Sequence, residues 1–334
     1  MSVITRWPQN ELCFTARKRA AAVTAVEEAF ASTLESLRVD IGLVEMLEAI
    51  YVPLGAWVAC RKSEKNGPLV LGINGAQGAG KSTLFNLLEV ILTEGFGLKV
   101  VGFSIDDLYK TRQQRQQLAE SVHPLLKTRG VPGTHDVELG IEILHALKNS
   151  GPDSVTKIPV FDKSTDERCE EAVWQEWTGP VDVIVLEGWC VGALPQDEQQ
   201  LEQPINELER EMDPDGAWRN YVNAQLSDRY QLLFSMLDML IMLKVPSMEA
   251  VYEWRSLQEK KLAERVRYIY NTQQPTQHLK IMDEAEIRRF IQHYERLTQQ
   301  MLEDMPSRAD VVLCLNNNHK IYDIRVNQRG DYCK

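Results

Sequence analysis

The stretch Gly75-Ala76-Gln77-Gly78-Ala79-Gly80-Lys81-Ser82 constrains this chain more than any other part of it. It matches the Walker A pattern G-x-x-x-x-G-K-[ST] in full. Glycines at these spacings let the backbone curl until successive N–H groups point inward, a shape that holds phosphate oxygens. A helix starting near Lys81 directs the positive end of its dipole at the same anion. Lys81 is expected to reach the β- and γ-phosphates of a nucleotide and Ser82 to offer its hydroxyl to Mg²⁺. Thr83 follows them in the expected nucleotide-binding set. The pattern carries this meaning only between a strand and a helix. Residues 69–73 form a short apolar run of the buried-strand kind, and Leu84, Leu87, Leu88 and Ile91 recur at helical spacing behind the loop.

The remaining chain alternates in the same way. Residues 99–103, 155–160, 181–186, 239–245, 311–315 and 321–326 read as strands, and 137–147 as a helix. Ser247 can cap a helix, and Asp283 with Glu286 has the spacing of a capping box for a helix running to about residue 303. Strands alternating with helices predict an α/β fold: three layers, α/β/α, around a mostly parallel, doubly wound sheet. Ahead of it, residues 10–62 read as helical. Val23, Val26, Phe30, Leu34 and Leu37 recur three or four apart, and a second helix is expected over about 41–60. The polar run 62–68 ends in Asn-Gly-Pro, a loop signal, so the boundary falls near residue 65. Residues 1–65 are then an N-terminal helical extension, and 66–334 the main domain. The acidic, Gln-rich stretch 196–215 reads as a solvated excursion, and no internal repeat is visible.

Composition excludes several classes. At 334 residues and 44% hydrophobic content the chain can bury a large core. Its net charge of −11 disfavours a nucleic-acid partner, which selects the opposite sign. Cys13, Cys60, Cys169, Cys190, Cys314 and Cys333 include no C-x-x-C pair, so neither a zinc site nor a disulfide framework is expected. Reduced cysteines fit a cytoplasmic protein. The first residues lack the apolar core of a secretory signal. The apolar run 232–243 is short and interrupted by Asp238, so no membrane partner is expected. Oligomeric state is not legible.

Two acidic strand ends complete the chemistry. Phe103-Ser104-Ile105-Asp106-Asp107-Leu108-Tyr109 closes the second strand with adjacent carboxylates. Strand ends at the carboxyl edge of such a sheet face the ligand crevice, where a carboxylate can accept the proton of an attacking hydroxyl. Asp106 fits that role better than the alternative of a helix cap, which suits Asp107, as would a substrate contact. Residues 181–188 resemble a Walker B strand, and Glu187 at their end can hold magnesium through water or position the nucleophile. Asp182, within the strand, reads as an edge or packing feature.

With these motifs in hand the chain resembles the D-glycerate 3-kinase group, within the phosphoribulokinase, uridine kinase and pantothenate kinase superfamily of P-loop kinases. The resemblance rests on GINGAQGAGKSTL at 72–84, SIDDLY at 104–109, HPLLKTRGVPGTHD at 123–136, PVFDKS at 159–164, VLEGW at 185–189 and WRSLQEKKL at 254–262. The first motif is generic; SIDD-Y, RG-PG-THD and W-R-x-x-Q-E are far more specific. Leu108 departs from the usual Phe.

The resemblance implies Asp106 as catalytic base, with Lys81 and Glu187 in the catalytic set and Ser82, Asp106 and Glu187 around Mg²⁺. It implies an acceptor site drawn from Asp107, Tyr109, Arg129, His135, Asp136 and Lys163, and a lid at about 247–303 that carries Arg255. The implied reaction is ATP-dependent phosphorylation of D-glycerate at its 3-position. Elementary chemistry agrees: a guanidinium such as Arg129 forks onto a carboxylate, and Lys163 or Arg255 can neutralise phosphoryl charge. Blander readings stand beside these. Arg255 can pair with Glu259 at i,i+4, Arg129 can order its own loop, and His135 can belong to a helix N-terminus. Asn316 to His319 can lie by an adenine, but reads better as a polar surface loop. The alternatives in function are a P-loop kinase for pantothenate, a nucleoside or another sugar acid, and a nucleotide-dependent regulatory or assembly protein. N-K-x-D, the mark of guanine switches, is absent.

Overall fold

The computed structural model describes residues 5–272 and 282–327, with the backbone alone for 261–272. Cys333 and the 273–281 part of the expected lid lie outside the described residues.

The strands are β1 Leu69–Gly75, β2 Val100–Ser104, β3 Val155–Ile158, β4 Phe161–Asp162, β5 Glu167–Arg168, β6 Gln175–Thr178, β7 Val183–Gly188, β8 Met239–Lys244, β9 Val311–Leu315 and β10 Ile321–Val326. Six of them form the central sheet in the order β10-β9-β8-β1-β7-β2. Every pairing is parallel except β9 with β10. The helices are α1 Ala16–Leu37, α2 Val52–Ser63, α3 Lys81–Val90, α4 Arg112–Ser121, α5 Val137–Lys148, α6 Glu198–Leu201, α7 Glu207–Met212, α8 Ala217–Gln225, α9 Gln231–Ser235, α10 Met248–Thr272 and α11 Glu284–Arg308.

Side chains alternate across a strand, and here the alternation builds the layers. Leu71 and Ile73 of β1, Val183 and Val185 of β7, and Ile241 and Leu243 of β8 join one core with α1, α2 and α3. Val70, Ile184, Leu186, Leu240 and Met242 face the other way, into a core with α5 and most of α11. Parallel strands buried on both faces read as continuous apolar runs, which is why they were legible.

The two N-terminal helices share the first core. Val26, Phe30 and Leu34 are fully buried; at roughly 1.5–3 kcal/mol for each large side chain, this face holds α1 firmly against the sheet layer. The second helix begins less regularly than its periodicity suggests, with a 3-10 turn at Ile41–Met46 and a π turn at Leu47–Tyr51 before α2. By length and composition Ile41–Ser63 is apolar enough to cross a membrane, and most of it is buried in this core.

One expectation is corrected and another refined. Residues 155–160 do not enter the central sheet: β3 pairs antiparallel with β6 in a separate two-stranded sheet. The stretch 196–215 is largely exposed, as expected, but buried ion pairs anchor it to the domain. Glu209 and Asp213 are fully buried, Glu209 against Arg296 at 2.6 Å and Asp213 against Arg219 at 2.9 Å. Each guanidinium also donates to backbone carbonyls. Such shared hydrogen bonding is what makes buried ion pairs tolerable.

Register positions the site. Ile73 of β1 and Ser104 of β2 both stand opposite Glu187 of β7. The loop after β1, the acid ending β7 and the turn after β2 therefore emerge side by side at the carboxyl edge, where doubly wound sheets bind ligands.

Candidate active site

The loop 75–82 is curled as its sequence predicts. Gly78 and Gly80 adopt φ values of 80° and 91°, in the left-handed region that side chains disfavour. The side chain of Trp254, in α10, also fills the space beside Gly78: a Cβ there would stand 3.0 Å from that of Trp254. Lys81 opens α3 and donates to the Ala76 carbonyl at 3.2 Å. Burial pushes its ammonium pKa down, while the nearby carboxylates of Glu187 and Asp106 work to hold it up.

Glu187 is buried. Its Oε1 accepts from the Ser82 hydroxyl at 2.8 Å, and its Oε2 has no hydrogen-bond partner among the described residues. A lone buried carboxylate oxygen is costly, and a hydroxyl beside it completes an oxygen donor set suited to a hard divalent cation. Ser82 and Glu187 thus fit magnesium. Asp106 is turned elsewhere.

Asp106 sits in the 3-10 turn Ile105–Leu108, which Ser104 and Asp107 close as a capping box. Its Oδ1 accepts from the Tyr109 hydroxyl at 2.7 Å and its Oδ2 from Lys163 Nζ at 2.5 Å. Burial alone would raise this carboxyl, but the ammonium of Lys163, the Tyr109 hydroxyl and Lys81 outweigh it and hold the pKa at about 2.

These groups line one cavity of about 810 Å³. Gln77, Gly78, Ala79, Gly80, Lys81, Ser82 and Thr83 form its floor, with Asp106, Tyr109, Arg129, Lys163, Glu187 and Arg255 around it. Gly75 and Ala76 do not line it. Trp189, which the sequence offered only as the end of VLEGW, supplies an aromatic wall with Phe290 and Tyr294. That wall fixes the Arg129 loop: Trp189 Nε1 donates to the Gly130 carbonyl at 2.8 Å and the Tyr294 hydroxyl to the Arg129 carbonyl at 3.0 Å. Gly130 has φ 130°, and a Cβ would fall 2.1 Å from the Tyr294 hydroxyl oxygen, so only glycine fits. Arg129 itself pairs with Asp166, and Arg255 with Glu259 at i,i+4.

Three expected acceptor contacts are placed elsewhere. Asp107 accepts from the backbone N–H of Ser104 and of Phe161, and burial pushes its carboxyl up to about 6. Asp136 caps α5 through the Leu139 N–H and pairs with Arg168 at 3.1 Å. His135 is buried under Tyr109, ring centroids 4.7 Å apart, and its Nδ1 lies 2.6 Å from the Tyr230 hydroxyl. In each case these partners, local and distant, decide where the side chain points.

His135 has a measurable consequence. Burial drops its pKa from 6.5 to about 3. The unfolded chain takes up this proton below about pH 6.5, whereas the folded one refuses it until about pH 3. Its stabilising contribution is whole above that window and drains away on acidification, by up to roughly 1.4 kcal/mol per pH unit. His135→Asn, which does not titrate, is expected to lose less stability than the wild type between pH 6.5 and 4. Urea midpoints across that range check it; parallel pH profiles count against the assignment.

The cavity also reaches away from the acids. Val39, Asp40 and Leu43 after α1 and Leu315, Asn318 and Ile321 at the β9–β10 turn enclose its far end. Trp254 stacks on His319 there, at 3.9 Å between centroids. The turn is thus a wall of the cavity, where a plain surface loop was expected.

No family model matches the chain. It is 33% identical over 240 residues to an uncharacterized kinase of Schizosaccharomyces pombe, over 68% of this chain and 78% of that one. It is 30% identical over 240 residues to the chloroplastic D-glycerate 3-kinase of Arabidopsis thaliana, over 66% of this chain and 50% of the plant protein, so the match spans half of the latter's length. A solved D-glycerate 3-kinase from Cryptococcus neoformans superposes with a TM-score of 0.65 at 24% identity, over 91% of this chain and 99% of that one, a likeness of fold.

Proposed function

Given that this chain belongs to the P-loop kinase superfamily, we propose that it phosphorylates D-glycerate on its 3-hydroxyl, with Asp106 as general base. That it is an ATP-dependent phosphotransferase acting on a small molecule follows from the family. The choice of acceptor rests on one observation above the others: Asp106 and the phosphate loop line one cavity together with the cations Arg129, Lys163 and Arg255. A small hydroxy acid carries the two features such a site selects, an anion and an attacking hydroxyl.

In this reading the nucleoside lies toward 37–43 and the β9–β10 turn, with the phosphates over 75–82. Arg129 forks onto the acceptor carboxylate through the N–H groups that Asp166 leaves unused. Asp106 takes the hydroxyl proton on a free lone pair of either oxygen, since each carboxylate oxygen accepts more than one bond. A carboxyl held at about 2 is a weak base, and the loose transition state of phosphoryl transfer asks chiefly for positioning and charge stabilisation. Lys163 can also leave Asp106 for the transferring group, which raises the basicity of the carboxylate as charge develops. Magnesium, held by Ser82 and Glu187, would supply further charge neutralisation on the phosphates. A cytoplasmic site of action belongs to the same reading; the cysteines among the described residues are all free thiols.

An ADP-release assay over D-glycerate, pantothenate and uridine tests the proposal. Turnover on D-glycerate is expected in the range of about 1–100 s⁻¹. Turnover on pantothenate or uridine with none on D-glycerate overturns the acceptor. Hydrolysis indifferent to every acceptor, with nucleotide-dependent capture of a protein partner, points to a switch.

A further inference from the structure

Arg115 is 1% exposed, although its helix, α4, consists mostly of glutamine, arginine and other polar residues. Arginine rarely leaves solvent unless its N–H donors are met. Here Nε donates to the Lys110 carbonyl at 3.1 Å, Nη1 to the Lys127 carbonyl at 2.9 Å and Nη2 to the Asp166 carbonyl at 2.9 Å. Nη2 also lies 3.0 Å from Asp166 Oδ2.

The three carbonyls belong to three loops, each beside a residue of the cavity wall. Lys110 follows Tyr109, Lys127 precedes Arg129 by two positions, and Asp166 follows Lys163 by three. The second carboxylate oxygen of Asp166 pairs with Arg129, so Arg115 and Arg129 share one carboxylate. Asp166 holds φ 56° to do this, a left-handed conformation that aspartate tolerates better than most residues. Phe161 backs the arrangement, with Arg115 and Arg129 over its ring at 6.0 and 5.5 Å and Tyr109 edge-on at 5.1 Å.

We propose that Arg115 is a positioning residue for phosphoryl transfer: its guanidinium staples together the loops carrying Tyr109, Arg129 and Lys163, and so sets the acceptor pocket without lining it. The inference rests on reading this end of the cavity as the acceptor site. Each donor points at a different chain segment, which a planar fork of fixed geometry does and a lysine head does not.

Arg115→Met keeps the stem and removes every donor; Arg115→Lys keeps the charge and reaches fewer carbonyls. In both, the KM for D-glycerate is expected to rise about 10- to 100-fold while the KM for ATP stays within about twofold, because loops displaced by an ångström lose alignment at the acceptor only. Hydrogen exchange is expected to quicken together in 108–112, 126–130 and 162–168, with 75–82 unchanged. A purely structural role lowers the active fraction, and hence the apparent kcat, and leaves both KM values where they were; that result, or unchanged exchange in the three segments, overturns the proposal. Should Arg115→Met fail to fold, Arg115→Lys, which keeps the stem and the charge, carries the same KM and exchange readouts, and unchanged values there are the contrary outcome. If the wild type ignores D-glycerate, the acceptor reading fails by itself; exchange, and the KM split on whichever acceptor of the panel is used, still decide the role of Arg115.

Discussion

Asp106→Asn is expected to lower kcat by about 10²- to 10⁴-fold, the usual worth of a positioned base, while ATP binds as well as before or slightly better. The substitution is nearly isosteric, so the Tyr109 hydroxyl keeps an acceptor. It removes the negative charge that Lys163 faces at 2.5 Å and that Lys81 also feels. Those cations are then freer to meet phosphate, which is why nucleotide affinity should not fall. Titration calorimetry with an ATP analogue, alongside steady-state turnover, separates the two effects. Lys163, Tyr109 and Lys81 hold the carboxyl at about 2 in the free site, so an acid limb near neutral pH in kcat/KM belongs to another group. Turnover by the Asn variant within a few-fold of the wild type removes Asp106 from the chemistry and leaves the mechanism without a base.

Lys81→Met is expected to cost about 10²- to 10³-fold in kcat/KM for ATP, comparable to deleting one preorganised donor at the reacting centre. The ammonium lies among buried groups, where fixed charge is worth far more than in water. Its loss has a second effect. Glu187, with one oxygen already unpartnered, and Asp106 both interact with this cation. Burial nonetheless outweighs both carboxylates and lowers the Lys81 pKa, so its charge opposes folding and the single variant is expected to melt no earlier than the wild type. A thermal melt decides it: a clear loss of stability in Lys81→Met means that the cation holds the two acids in place.

How far the site could be read in advance depended on the range of each interaction. The glycines at 78 and 80 answer to their own backbone angles, and Asp106 to the turn directly after its own strand; both were legible. Asp136 was assigned to the acceptor although a local rule explains it better: an aspartate directly before a helix caps it. His135 was assigned from its motif, yet its direction is set by Tyr230, 95 residues away in the chain. Trp189 ends the VLEGW motif without a role of its own there and Tyr294 belongs to no motif; their bonds to the Arg129–Gly130 backbone reveal both. Arg115 was hidden most completely. In a polar helix an arginine looks like a solvated side chain, and its burial depends on three carbonyls contributed by separate loops. The anchors of the stretch 196–215 were hidden for the same reason, since Glu209 and Asp213 look like its solvated acids but are buried against Arg296 and Arg219.

The amino-acid sequence by itself determined the curled glycine loop, the strands that bracket it and the acids at or just beyond two strand ends. These depend on backbone torsion, alternation and strand direction, all properties of a few consecutive residues. Only the tertiary structure decided which polar side chains face the cavity and which brace it from behind. A charged group goes wherever its countercharge and hydrogen-bond partners stand, and in this protein those partners come from distant segments brought together by packing.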